Sequence, residues 1–594
     1  MTQQQETLNP TRREFIALGG GAVGLASMGL NAAWAANQVE LDPNAITNTD
    51  RQTDVLVIGG GMAGLFAAVK AHDAGASTMI VSKGRLGSSG LTPFAKGFFV
   101  YDAANEVLSM DEFAAVVSRS ALGTSNPVYT RQLAEHSKAR AQELREWGFF
   151  DQTLAHRSFM VPIKERDIPL IERVVITHLI KEDGKIAGAA GFRLDAEETV
   201  TFRAKTVILC TGSGGFKPNG FPVCDLTHDG TIMAYQIGAK VTGKEWNDGH
   251  SGKSLNPAAC YDGWGDMFDR VPGTNGVEVH HDLGVENNYQ AYMLGNPVAG
   301  GPGGVSGATS AAGGPTTPVE FQRSGGPEGG PPGGDGTGGA PSAPPSGGEA
   351  GGAPGGPPGG GGGSAIMSSP AMGGASAGMA IHKSEGLVPI DDRCASNIPG
   401  LYAAGDALGS YMAGGIYTQI GSSLAGSAVQ GAIAGVAAAE FAAATSWPVI
   451  PEAKLAEVID EILAPLKREA GYGPAWVTQT LQGIMIPNFV LYIKKGTMMH
   501  AALAYIEELR DHHAPMLRAA NMHELRLVFE TRNMILSAEM KLRASLIRTE
   551  SRCSHYRLDY PEIDDVNWLA WINIYKGTDG TMQLEKQPFD TWPA

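Results

Sequence analysis

The run Asp54-Val55-Leu56-Val57-Ile58-Gly59-Gly60-Gly61-Met62-Ala63-Gly64 constrains this chain more than any other stretch. Val55 to Ile58 is a short apolar run of the kind that forms a buried parallel strand, and Leu65-Phe66-Ala67-Ala68-Val69 continues as a helix. Between them Gly59, Gly61 and Gly64 follow the spacing G-x-G-x-x-G. The three glycines allow, in turn, a tight turn, the approach of a pyrophosphate to backbone, and close packing of helix on strand. The helix start offers unpaired N–H groups and the positive end of its dipole to phosphates. Glycines alone are weak evidence of such a site. Strand, glycines and helix in this order predict a dinucleotide-binding unit.

At 594 residues the chain is too long for one core, and two or three lobes are expected. Hydrophobic content of 43% and charged content of 18% are those of a soluble globular protein. The net charge of −16 argues against nucleic acid as a partner. Ahead of the glycines, Arg12-Arg13 precedes a Gly/Ala-rich apolar run to about Leu30 and the small-residue site Ala33-Trp34-Ala35. That pattern reads as a twin-arginine export signal over 1–35, with the periplasm or another extracytoplasmic space as destination. The run falls short of the ~20 apolar residues that span a membrane with margin. A retained N-terminal anchor is the lesser alternative. No other long apolar segment stands out, so any other membrane contact would need a partner. The cysteines Cys210, Cys224, Cys260, Cys394 and Cys553 form no C-x-x-C, so neither a metal nor an iron–sulfur cluster is expected on this chain.

Further along, Ser77-Thr78-Met79-Ile80-Val81 reads as a second buried strand ending at Ser82-Lys83. An acidic residue about 20 positions beyond the glycines commonly closes this strand and binds the adenosine ribose. Serine stands here instead, which weakens a generic NAD reading. Gly84 to Gly97, with Ser88-Ser89, is loop-like and suits close approach of a bulky ligand; a plain surface loop fits too. Residues 111–147 have helical periodicity, and 172–203 resemble short strands about a turn at Asp183-Gly184. Ala204 to Gly212 returns the chain to the nucleotide sheet as an apolar strand. From Ser324 to Ala365 there is no Val, Leu, Ile, Met or aromatic residue, so this stretch cannot bury a core. Order resumes with the strand Gly400 to Asp406 and an Ala/Gly-rich helix from Gly421 to about Ala444. Pro451 to Leu546 is helical in pattern, including a long run over Met522–Leu546.

These motifs, with Thr227–Gly230, Glu245, His250 and the segment around Arg552 to Pro561, resemble the flavoprotein subunits of the succinate dehydrogenase/fumarate reductase family. That family also includes L-aspartate oxidase and the adenylylsulfate reductase flavoprotein. The resemblance spans 53–250 and 370–570. It implies an α/β architecture: a Rossmann-like two-part FAD-binding domain, a reduced capping insertion and a C-terminal helical domain. The expected boundaries are 50–250 and 366–446 for the two FAD parts, with the capping region over 251–365 and its Gly/Pro-rich disordered insertion over 296–365. The helical domain follows over 447–560 and a tail over 561–594. The FAD-binding residues carried over are Gly59, Gly61, Ala63, Gly64, Ser82, Lys83, Ser88, Ser89, Gly97, Thr211, Gly212, Asp229, Gly405, Asp406, Ser423 and Leu424.

Departures from the family pattern bear on the substrate. Covalent members carry a histidine where this chain has Gly90-Leu91-Thr92, so FAD is expected to be non-covalent. The proton-shuttling Arg-Gly-Glu-Gly-Gly motif is missing, and Arg270 and Arg323 are the arginines between 251 and 370. His-x-x-Met-Gly-Gly becomes Ser369-Pro370-Ala371-Met372-Gly373-Gly374. His-Gly-Ala-Asn-Arg-Leu-Gly corresponds roughly to Gly414-Gly415-Ile416-Tyr417-Thr418-Gln419-Ile420-Gly421, where the arginine is absent and Gln419 stands nearest its place. Arginine forks are a large part of how such sites grip dianions. Their loss points to a less charged substrate met by Tyr411, Tyr417, Gln419, Trp246 and His250. Candidate catalytic residues are His250, Tyr417, Gln419 and Arg552, the last with an interface-bracing role as its alternative. The expected activity is reduction of an activated C=C bond, or the reverse dehydrogenation, with electrons exchanged through an iron–sulfur or other electron-transfer subunit. An oxidase using O2 competes with this reading, as does a non-catalytic flavin electron-transfer subunit.

Overall fold

The computed structural model describes residues 41–94, 98–104, 109–151, 154–217, 225–246, 380–381, 385–409, 411–415, 422–485, 490–491, 493–553, 555–589 and 591. The export signal, the capping region, Cys224, Cys260, Gly97, His250, Tyr417 and Gln419 lie outside the described residues. The strands in chain order are β1 (Thr47–Ile58), β2 (Thr78–Ser82), β3 (Leu170–Glu172), β4 (Val174–Glu182), β5 (Lys185–Arg193) and β6 (Glu198–Leu209). They continue as β7 (Val241–Thr242), β8 (Gly386–Leu387), β9 (Leu401–Ala403), β10 (Ala570–Lys576) and β11 (Met582–Pro588). The main helices are α1 (Met62–Asp73), α2 (Met110–Ser120), α3 (Pro127–Glu146), α4 (Ala155–Glu165), α5 (Asp229–Gln236) and α6 (Ser422–Ala443). A helical segment follows as α7 (Glu452–Leu463), α8 (Pro474–Met485), α9 (Gly496–Glu508) and α10 (Met522–Ile547).

The main sheet runs β3-β2-β1-β6-β5-β4, and β9 also pairs with β6. β1 is parallel to β2 and to β6, and β6 is parallel to β9, whereas β4, β5 and β6 are antiparallel. Val55, Leu56 and Val57 are fully buried, each such side chain contributing about 1.5–3 kcal/mol. The spine is longer than the apolar runs predicted. β1 starts at Thr47 and pairs with β6 from Glu198 onward, so 198–209 is one strand rather than the end of an insert plus a separate return. Polar, exposed residues such as Thr47 and Asp50 hid this extension from a hydrophobicity pattern.

Helix α6 is the next layer. It is 22 residues long, with a mean hydropathy of 1.3, enough to cross a membrane by composition, yet 72% of that window is buried in the protein. A long apolar segment therefore does occur after the N-terminus, contrary to expectation, and its Ala/Gly-rich makeup is what disguises it. Small residues explain its place: a Cβ on Gly431 or Gly435 would sit 2.3 or 2.4 Å from the carbonyl oxygens of Ala63 or Ala67 on α1. The helices therefore meet backbone to backbone.

The predicted helix over 111–147 is two helices, because Ala121 to Asn126 turns the chain and Asn126 caps α3 by accepting from the Val128 N–H. The expected tail is a correction too. β10 and β11 form an antiparallel hairpin in a four-stranded sheet with β7 and β8. Trp571 from β10 stacks on Tyr411, with centroids 4.7 Å apart, and lies 5.4 Å from Trp246. From Thr47 onward the described residues pack as one unit.

Candidate functional site

The cleft opens where β1, β2, β6 and β9 end. About 1010 Å3 of non-protein space, open solvent at its mouth included, lies among its lining residues. Gly59 leaves β1 with φ +122°, and a Cβ there would lie 2.1 Å from the Cys210 carbonyl oxygen. A Cβ on Gly64 would lie 1.9 Å from the Gly59 oxygen, so that glycine seats α1 against the strand. Gly61 differs: among the described residues its Cβ would meet the Thr92 hydroxyl alone, at 3.3 Å, and it lines the cleft. Gly61 also caps α1 without a side-chain acceptor, and no acidic residue stands in the first helical turn. This is the cradle a pyrophosphate needs.

The second wall comes from the far half of the chain. Asp406 follows β9 and accepts from the Ser423 hydroxyl at 3.3 Å, which places a carboxylate beside the start of α6. Thr211, Gly212, Ser423 and Leu424 complete this side. The Thr211 hydroxyl is buried and has no hydrogen-bond partner among the described residues, as suits a ligand group there.

At the end of β2, Lys83 carries an ion network. Its ammonium donates to Asp229 at 2.7 Å and to Glu530 at 2.9 Å. Asp229 also accepts from the Thr227 hydroxyl and the Asn533 amide, each at 2.8 Å. Glu530 takes Lys217 on its other oxygen. Burial works against charge on Lys83, Asp229 and Glu530, but mutual attraction outweighs it. Lys83 is held above the usual lysine range, and Asp229 and Glu530 below the usual carboxylate range.

A second buried network braces the segment that ends at Trp246. His228 has left-handed backbone at φ +62°, and its Nδ1 lies 2.5 Å from Glu385. Glu385 also accepts from Lys244 at 3.0 Å. Lys541 donates to the carbonyls of Lys244 and Trp246 at 2.7 Å, and Lys494 donates to that of Glu245. Burial pushes Lys541 down to about 8, against the pull of Glu385, and pushes Lys494 well below its ordinary value. Glu385, despite burial, is held far down by Lys244 and His228.

Of the expected FAD residues, Gly59, Gly61, Ala63, Ser82, Lys83, Ser89, Thr211, Gly212, Asp229, Asp406, Ser423 and Leu424 line one cleft. Gly64 acts behind it through packing, and Gly405, at φ +67°, turns the chain into Asp406. Ser88 is a correction: it is exposed, outside the described lining, and its N–H bonds Arg85.

Arg552 is a second correction. It is 2% exposed and donates to both Glu550 oxygens, to Asp565 and to the Leu122 carbonyl, so its guanidinium braces the interface rather than facing substrate. Tyr411 and Trp246 are likewise core, packed on Trp571. Glu530, Asn533, Lys217 and Glu385 were missed. Polar residues on the inner face of an amphipathic helix were the available signal for the first two.

Known proteins resemble this chain in sequence and in fold. The family described as FAD dependent oxidoreductase matches residues 54–217, and that described as fumarate reductase flavoprotein C-term matches 478–594. A fumarate reductase (CoM/CoB) subunit from Methanothermobacter marburgensis is 27% identical over 551 residues, covering 86% of this chain and 95% of the relative. Among solved structures, a chain of E. coli quinol fumarate reductase superposes with a TM-score of 0.64 at 17% identity, covering 91% of this chain and 97% of that one. Adenylylsulfate reductase from Archaeoglobus fulgidus gives 0.63 at 18%, covering 93% and 98%. The fold and the cleft thus define an FAD-dependent oxidoreductase. It is of the fumarate reductase/succinate dehydrogenase flavoprotein type, the family its sequence motifs resemble.

Proposed function

We propose that the chain is an exported oxidoreductase that holds FAD non-covalently and reduces an activated C=C bond, or runs the reverse dehydrogenation, on an organic molecule other than a small dicarboxylate. The observation that carries this reading is the sequence Gly414–Gly421, where Gln419 stands nearest the place of the family's carboxylate-binding arginine. Bound FAD supplies hydride exchange at its N5. Gly59 to Ala63 and the start of α1 hold its pyrophosphate. Asp406 and the start of α6 meet its other half from across the cleft. His250 and Tyr417 are the proposed proton-handling side chains opposite the flavin.

The buried lysines support His250 in that role. Lys494 and Lys541 fix the carbonyls of 244–246, which directly precede the segment containing His250. Electrons pass to or from a separate iron–sulfur or other electron-transfer subunit, which fits a relative that is itself one subunit of a larger enzyme by name. Reduced-viologen oxidation by the purified protein tests the reading. Turnover with unsaturated acids, phenolic enoates or enones, and none with fumarate, is expected; fumarate turnover at ordinary enzyme rates overturns it. Peroxide released without added dye would instead identify an oxidase. Export is tested separately: replacing Arg12 and Arg13 by lysine should leave the protein in the cytoplasm.

A further inference from the structure

Dinucleotide-binding folds commonly close the second strand with an acidic side chain that bonds the adenosine ribose. Here β2 ends in Ser82-Lys83, and the carboxylate at this station is imported. Asp229, at the start of α5, lines the cleft and is tied to Lys83. Apolar side chains, Val174, Ile176, Leu226 and Met233, line the same cleft. Lys83 is the one cation among the described lining residues.

Neither Lys83 nor Asp229 is set by its own element alone. Glu530 and Asn533, one turn apart on α10, reach in from the helical segment. Asn533 donates to Asp229 at 2.8 Å, and Glu530 accepts from Lys83 at 2.9 Å. Glu530 is 1% exposed, against 17% for Lys83 and 15% for Asp229, and it does not line the cleft. Its second oxygen is taken by Lys217, whose backbone carbonyl is itself gripped by Gln482 from α8. Glu530 therefore touches no ligand.

We propose that Glu530 and Asn533 are positioning residues for the adenosine half of the FAD site, fixing Lys83 and Asp229 at the end of β2 and thereby setting the preference for FAD over FMN. The helical segment is then part of the cofactor site. A charge-assisted hydrogen bond lost at one remove weakens binding about tenfold.

The test is flavin titration of full-length apoprotein, wild type against Glu530→Gln and Asn533→Ala, using FAD, FMN and ADP as a competitor for FAD. In Glu530→Gln, FAD and ADP should weaken together by about tenfold, with FMN affinity kept within about twofold. Asn533→Ala should show the same pattern at a smaller scale, and it carries the comparison if Glu530→Gln does not fold. Equal weakening of all three ligands would mean a merely structural role and overturn the proposal. Unchanged ADP and FAD binding would overturn it as well. Because ADP reports no redox chemistry, this test fails or succeeds independently of the substrate reading.

Discussion

A Cβ on Gly61 meets little protein, and this separates ligand approach from folding at one position. Gly61→Ala should leave the thermal stability of the apoprotein close to wild type and weaken FAD by tenfold or more, because the added methyl stands where the pyrophosphate lies. Gly59→Ala should fail earlier, at folding, since its Cβ collides with the Cys210 carbonyl. Differential scanning of apoprotein together with flavin titration distinguishes the two. The buried carboxylates make a second residue-scale prediction. Glu385, Glu530 and Asp229 stay ionised in the fold below the ordinary values of 4.5 and 3.8 at which the unfolded chain takes up protons. Their stabilisation is complete above about pH 4.5 and is lost as pH falls through the folded-state values. Urea midpoints should therefore drop steeply below pH 4.5. Glu385→Gln should start lower at pH 7, with Lys244 and His228 unbalanced, and fall less on acidification. The glycine roles were legible in sequence because they depend on neighbours a few residues away. The ties from Lys83 to Glu530 and from His228 to Glu385 were not, because each joins residues far apart in the chain and spacing carries no trace of them.

Among the elements, the contact of α1 with α6 decides whether the two parts of the nucleotide-binding unit close on one ligand. Gly435→Val should cost about 1–3 kcal/mol through overpacking against Ala67, seen as a lowered melting temperature. Gly473→Ala, where a Cβ meets nothing within 4 Å, is the matched control. Helix α6 could be read from its Ala/Gly-rich run and β9 from its apolar strand before Gly405-Asp406. The β10–β11 hairpin was passed over as a tail, although Asp579-Gly580 between two strand-like runs is a hairpin signal. Its importance comes from Trp571, whose position between Tyr411, Trp246 and Phe589 only the folded chain reveals. Trp571→Ala should destabilise by about 3–5 kcal/mol without altering which substrates react.

For the whole molecule, FAD is a staple. Its cleft is lined by residues from 58 to 427, and one of its corners is fixed by α10. Saturating FAD at 100 times its dissociation constant should add about 2.7 kcal/mol to stability by mass action. The cofactor was legible because its motifs recur in order along the chain. No such ordered motif marks the substrate, because chemistry at such a site depends on what converges in space. Cofactor and substrate meet in the proposal made above: an FAD site of the fumarate reductase type that acts on something other than a small dicarboxylate. Anaerobic titration of the protein-bound flavin tests this most directly. With the flavin first reduced, fumarate is predicted to leave the absorbance of the reduced form unchanged, while a less charged unsaturated acid or phenolic enoate restores the oxidised spectrum. Rapid reoxidation by fumarate would contradict it.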